Sequence, residues 1–596
     1  MRLRTVCFKS LFLFLLSTPV LSTGVVQSED GASSADTFLT HYEKSGKKES
    51  ADYLTTIRFY QRLADQYDRV EIREAGRTDS GYPLHVVFLA EDTSIVAPDR
   101  VAVSAGQRAR QNVLLINNAI HPGEPDGVDA SMMLARELAQ KGLPQNVIVA
   151  IIPMYNIGGA LNRNSTTRAN QNGPLDYGFR GNAQNYDLNR DFIKCDTRNA
   201  RSFSKIFQSL DPELLIDTHV SNGADYQYVM TSAHSQKDKL GGRLGVFFDQ
   251  TFRPEIFGEM NRVGFPVIPY VNSGGAPPDR GFSQFLETPR YSTGYAALFQ
   301  TMGFMTETHM LKPYDQRVDA TYAFLHNAIR LLSKHGETIK EIRESDRRSY
   351  LEQDAIAVSW TLDRERSTKI RFLGYEARTI PSRVTTGSRL FYDRKQPFDR
   401  EVDYYNHYVP KATVRPPAGY LIPRGWNSII ERLKINGVEM RALSEVTELK
   451  VEVYRVIDLE TPSSPFEGHY PHRSIELSTK TMTVTAKAGD VVVPFKQRRA
   501  RYVVETLEPL GSDSFFRWNF FDTILQQKEH FSPYVFEDIA ERLLEDKPEL
   551  RKRFEAKQES DDEFRASDRQ QLQFLYQNSP HYEAAHRTYP VSRLID

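Results

Sequence analysis

His121 and Glu124 stand three residues apart in His-Pro-Gly-Glu, directly after the apolar run that ends at Ile120. An imidazole and a carboxylate turned by Pro and Gly can bind one Zn²⁺ from a single corner of chain. Of the 14 histidines, only His121 has a glutamate at that spacing. His219 closes a second apolar run, Leu-Leu-Ile-Asp-Thr-His-Val, and offers a further nitrogen donor. Glu307 lies within Phe-Met-Thr-Glu-Thr-His-Met, flanked by apolar residues. A carboxylate so placed needs partners or a raised pKa, which is what a general base beside a metal-activated water requires. His309, two places on, reads as an ordinary core or surface histidine. Glu287 in Phe-Leu-Glu-Thr-Pro-Arg-Tyr ranks behind Glu307 because its surroundings read as loop. Asn-Tyr-Asp-Leu-Asn-Arg-Asp-Phe (185–192) sets Asp187, Asn189 and Arg190 along an extended or turning segment. Asn and Arg presented together suit a carboxylate, whose two oxygens match the guanidinium fork.

These residues need a frame that brings distant segments together. Residues 111–120 and 146–156 read as short buried strands, and 126–140 between them as an amphipathic helix. Residues 214–220 and 304–310 are further apolar runs of strand length, and 197–210 and 315–336 read as helices. Strands alternating with helices imply an α/β fold, a mixed and mostly parallel sheet with helices on both faces. In such sheets ligands bind beyond the carboxyl ends of the strands, where His121 and His219 fall. Residues 50–66 add a helix before this frame, and the stretch that follows it reads as two strands around a turn.

With 596 residues the chain exceeds what one core usually organises, so several domains are expected. The reading is a leader at 1–22, a catalytic domain at 36–345, a β-rich accessory domain at 346–511 and a charged helical segment at 512–596. The leader is expected because residues 1–10 carry three positive charges and 11–21 form an apolar run too short to span a bilayer. With no second apolar stretch of spanning length, no stable membrane span remains after cleavage, and a secreted or periplasmic protein is expected. A formal net charge of -1 without a sustained basic block argues against nucleic acid as a partner. Cys7 and Cys195 are the only cysteines, so any metal must be held by His, Asp or Glu.

His-x-x-Glu after one strand, Asp-x-Asn-Arg, a His ending another strand and a Glu on a late strand occur here in one order. That set resembles the zinc carboxypeptidase family of carboxypeptidase A-like metallopeptidases, as a secreted bacterial-type member with a long C-terminal extension. The resemblance covers residues 50–340 in outline. It implies that His121, Glu124 and His219 bind one zinc per chain and that Asp187 orients His121. It further implies that Asn189 and Arg190 hold a peptide's terminal carboxylate and that Glu307 is the catalytic acid and base. The family's oxyanion-stabilising arginine precedes the Asn-Arg pair; Arg163, Arg168 and Arg180 all do, and Arg168 is preferred. The family's substrate-capping tyrosine corresponds to Tyr291, to Tyr295 or to neither. The sequence departs from the family at Asn156-Ile157-Gly158-Gly159, where many relatives have Asn-Pro-Asp-Gly, and at Asp191, where Asn is more usual. The implied activity is carboxypeptidase hydrolysis of peptides. A deacylase of acyl-amino acids on the same fold and a non-catalytic zinc-dependent peptide- or cell-wall-binding protein remain open readings.

Overall fold

The computed structural model describes residues 38–96, 108 and 110–595. The leader expected at 1–22 lies outside the described residues. The N-terminal half is built on β1 (Val70–Arg77), β2 (Pro83–Leu89), β3 (Asn112–Asn117), β4 (Val147–Ile152), β5 (Leu214–Ser221), β6 (Met230–His234) and β7 (Val267–Pro269). The two-residue β8 (Phe282–Ser283) pairs elsewhere, and β9 (Met302–His309) completes the main sheet in the order β1-β2-β4-β3-β5-β9-β6-β7. The central pairs β4-β3, β3-β5 and β5-β9 are parallel. Antiparallel pairs lie toward the edges, at β1-β2, β2-β4 and β9-β6.

The apolar character of the middle strands follows from cover on both faces. Alternation along each strand divides it into two sides. Val113, Leu115, Ile148, Ala150 and Leu215 join Phe203, Ile206 and Phe207 of the helix Arg198–Leu210 in one core cluster. Leu114, Ile116, Val149 and Ile151 are equally buried on the other side, where the helices Asp126–Lys141 and Tyr314–Tyr350 pack against each other. The last helix runs 37 residues, well past the segment expected to be helical and through residue 345. Its apolar face continues, with Ile339 and Ile342 buried, so nothing in its packing ends it earlier. The helix Arg198–Leu210 is started by Thr197, whose hydroxyl accepts from Ala200 N. Asp191 in turn accepts from Asp196 N, Thr197 N and the Thr197 hydroxyl. The acid at 191 thus fastens the start of this helix.

The C-terminal half supplies β10 (Ile356–Leu362), β11 (Thr368–Pro381), β12 (Ser388–Tyr405), β13 (Tyr408–Val414), β14 (Gly419–Ile422), β15 (Arg441–Ala442), β16 (Thr447–Glu460), β17 (Ser474–Ala486) and β18 (Val491–Pro494). The hairpins β11-β12 and β16-β17 are antiparallel, within the region expected to be β-rich. The charged tail contains the expected helices, Pro533–Asp546, Pro548–Ser560 and Asp568–Gln577, around a small core of their own. It is not helical throughout. β19 (Ser592–Leu594) returns to pair with β14 and β16 inside a six-stranded sheet. Residues 515–521 also leave the solvent: Phe515, Phe516, Trp518 and Phe521 belong to the same core cluster as β3 and β4. Thr40–Asp596 form one compact unit. Among the described residues no helix is long and apolar enough to cross a membrane.

Candidate metal centre

His121 and Glu124 sit in the turn between β3 and the helix Asp126–Lys141, and His219 sits near the carboxyl end of β5. One ligand atom from each lies within 4.8 Å of the others. All three residues are buried. His121 Nε2 is 2.9 Å from Asp187 Oδ1 and His219 Nε2 is 3.1 Å from Asp217 Oδ2. In each ring the far nitrogen is held by a carboxylate, which directs Nδ1 toward Glu124. His219 Nδ1 is 3.2 Å from Glu124 Oε2. His121 Nδ1 is 3.3 Å from Glu124 Oε1 but out of line for a hydrogen bond, so this buried nitrogen has no hydrogen-bond partner. An orphaned nitrogen facing a second imidazole and a carboxylate fits a tetrahedral zinc site with one open position.

The electrostatics keep the carboxylate charged. Burial alone would raise the Glu124 pKa, but His121 and Arg168 beside it hold it well below the ordinary range. Asp187 is likewise lowered despite burial, by His121, Arg180 and Arg190. Glu307 behaves oppositely. β9 lies beside β5 in register, pairing Glu307 with His219. Burial raises its pKa to about 7, with His219 opposing and Glu124 adding to the rise.

A cavity of about 530 Å³ opens over this centre, lined among others by His121, Glu124, His219, Glu307, Asn189 and Arg190. Asp187 caps the short turn Leu188–Arg190 by accepting from Asn189 N at 2.9 Å. Asn189 lines the cavity with its amide 3.4 Å from His219 Nε2. Arg190 stacks on Tyr291, its guanidinium carbon 4.6 Å from the ring centroid, and Tyr291 also lines the cavity.

The other expected residues divide. Tyr295 is fully buried in the core and donates to Asn436 Oδ1 at 2.6 Å, so it cannot cap a substrate. Its place in the helix Ser292–Ala297, one turn beyond Tyr291, turns it inward. Arg163 is engaged with Asp176 and the Ser50 carbonyl, outside the cavity lining. Arg168 lines the cavity, but Nη1 is 2.8 Å from Glu124 Oε1, Nε is on Gln171 and Nη2 is on the Val220 carbonyl. Gly123 makes room for it, since a Cβ there would come within 2.6 Å of Arg168 Cδ. Arg180 also lines the cavity, paired with Asp187 at 2.9 Å and with its side chain 45% exposed. Glu287 is buried on Gln236 N and Lys239, away from the cavity. His309 bonds the Ala224 carbonyl. Sequence reasoning passed over Asp217. Its signal was an acid two places before His219 in a buried strand, on the same strand face.

Residues 56–228 match the family model for zinc carboxypeptidase. That span holds the three donors, Asp187, Asn189 and Arg190. The chain carries a zinc carboxypeptidase domain. It is similar to Carboxypeptidase 2 of Trichophyton rubrum, 22% identical over 480 residues that cover 77% of this chain and 81% of that protein. It is also 22% identical to Carboxypeptidase 2 of Trichophyton equinum, over 67% of this chain and 72% of that one. A solved metallo-carboxypeptidase from Burkholderia cenocepacia aligns at 15% identity and a TM-score of 0.35, over 48% of this chain and 70% of that one. The matched domain is that of a metallocarboxypeptidase, a peptide-bond hydrolase. Glu307 and Tyr291 lie beyond the matched span, brought to the cavity by β9 and the segment before it.

Proposed function

We propose that the protein is an exopeptidase that removes C-terminal residues from peptides, with one zinc per chain on His121, Glu124 and His219. A zinc ion held by these three would act as a Lewis acid toward a water and a peptide carbonyl. Glu307 takes the proton of the attacking water and passes it to the leaving amine nitrogen. A pKa raised to about 7 by burial suits a group that must both accept and return a proton near neutrality. Arg180, which pairs with Asp187 and lies 3.6 Å from Glu124 but keeps its side chain 45% exposed, is assigned to the carbonyl oxygen in place of Arg168, which is 13% exposed.

The single observation that carries the exopeptidase reading is the pair Asn189 and Arg190 on the wall of the metal cavity, with Tyr291 stacked on the guanidinium. A cation one residue beyond the scissile bond rewards a free carboxylate with charge-assisted hydrogen bonds worth about 1.5–3 kcal/mol. An amide forfeits them. Peptides with a free C-terminus are therefore expected to be trimmed residue by residue, and their amidated twins cut at least about tenfold more slowly, given 1.4 kcal/mol per decade. Arg190→Ala should erase most of that preference. Equal cleavage of the two peptides by the native enzyme, or internal cleavage products in mass spectra, would refute the reading.

A further inference from the structure

The connection between β16 and β17 does not stay with its own sheet. At its tip Glu467 and Gly468 are consecutively left-handed, with φ of 50° and 75°. Glycine adopts that conformation freely, but glutamate does so only when its surroundings hold it there. The surroundings belong to the catalytic half. Glu467 Oε2 accepts the backbone N–H of Asp187 at 2.9 Å, and the Glu467 carbonyl accepts Lys194 Nζ at 3.1 Å. A Cβ at Gly468 would come within 2.9 Å of the Tyr186 hydroxyl, so the tip lies flat against the residue before Asp187. His469 Nε2 is 2.8 Å from Asp196 Oδ2.

A second contact holds the residue before Tyr291, which lines the same cavity. Asp513 accepts Arg290 N at 2.9 Å, Nε at 2.9 Å and Nη2 at 2.6 Å. Arg290 immediately precedes Tyr291, the ring on which Arg190 stacks. Trp518 joins the two contacts: Phe466 stacks on it, and Arg290 and Lys194 both lie over it. The tyrosine of the carboxylate pocket thus directly follows a residue pinned by the C-terminal half, and the arginine lies three places after another, Asp187.

We propose that Glu467 is a positioning residue for the carboxylate pocket, so that the C-terminal half completes the substrate site of the catalytic half. The inference rests on the exopeptidase reading of Asn189 and Arg190. Its physical content is local. Asp187 begins the turn Leu188–Arg190, and a backbone N–H held from outside fixes where that turn starts. Loss of the acceptor lets the turn shift, and a displacement of about 1 Å suffices to spoil a bidentate contact.

The test compares native enzyme with Glu467→Ala, Glu467→Gln, Glu467→Asp and Arg190→Ala on one peptide as the free acid and as the amide. Zinc content and Tm are measured for each. Glu467→Ala is expected to raise KM for the free acid about tenfold, with little change in kcat and in cleavage of the amide. Glutamine, which keeps an acceptor oxygen at the same reach, should restore the native KM. Aspartate, one methylene shorter, should not. If Glu467→Ala proves too unstable to assay, the contrast between glutamine and aspartate decides alone. Native discrimination in Glu467→Ala or Glu467→Asp, with Arg190→Ala losing it, overturns the inference and leaves the exopeptidase reading standing. An equal fall on both peptides together with a lowered Tm also overturns it, since that is a fold defect. Retained discrimination in Arg190→Ala overturns the carboxylate reading itself and this inference with it.

Discussion

Glu307 and Arg180 face the same cavity from different origins, one on a buried strand and one on a surface loop, and their chemistry divides accordingly. Glu307 is assigned to move protons, which only a group with an accessible pKa can do, whereas Arg180 is assigned to hold a fixed charge. Glu307→Gln and Arg180→Ala should each retain bound zinc, because neither supplies a ligand atom to the His121, Glu124 and His219 cluster. Both should lower kcat, by about 10²–10⁴-fold for the general base and by about 10²–10³-fold for the oxyanion donor. Metal analysis beside steady-state kinetics checks this. Near-native turnover in either variant, with zinc in place, removes that residue from its role.

At the scale of elements, the decisive piece is the turn Leu188–Arg190 and its cap. Asp187 performs three tasks there: one oxygen accepts Asn189 N and lies against His121 Nε2, and the other pairs with Arg180. The turn therefore ties His121, Arg180, Asn189 and Arg190 into one element. Asp187→Ala should weaken zinc affinity by about 10–100-fold, the usual cost of losing a carboxylate behind a ligating imidazole. The measurement is competition against a chelator of known strength. Unchanged affinity would mean that β3 and its turn orient His121 unaided.

Across the whole molecule, Asp211 joins both halves. It ends the helix Arg198–Leu210 in a left-handed conformation and accepts from Arg343 at 2.8 Å, Arg347 at 2.9 Å and Arg498 at 2.7 Å. Burial would raise its pKa, but the three arginines hold it far below the ordinary carboxylate value. A depressed folded-state pKa contributes stability that is fully present above the unfolded value, near 3.9, and is lost as pH falls toward the folded one. Asp211→Asn keeps a side chain that tolerates the left-handed backbone, removes the charge and replaces one of the two acceptor oxygens with an NH2 group. It should cost about 3 kcal/mol at neutral pH, as for breaking a buried pair. The gap from native should stay constant from about pH 8 to 5 and narrow progressively below about pH 4. Denaturant titrations at several pH values would show it, and a gap independent of pH would exclude the charge as its source.

What was legible in the sequence was what local pattern encodes. Continuous apolar runs at β3, β4 and β5 announced a sheet covered on both faces, because strands buried on both sides have no polar positions to alternate. Donor chemistry at the ends of those runs singled out His121, Glu124 and His219, since the cavity of such a sheet opens at its carboxyl edge. What the tertiary structure decided was which side chains remained available. Arg168 and Arg180 are the same residue type 12 positions apart, and only folding buries the first on Glu124 while leaving the second, paired with Asp187, half-exposed. Tyr291 and Tyr295 differ by one helical turn, and only packing sends one to the cavity and the other to the core. Glu467 lies 280 residues from the N–H it accepts. Local pattern carries no information about a contact at that separation, because it is made by whole elements coming together.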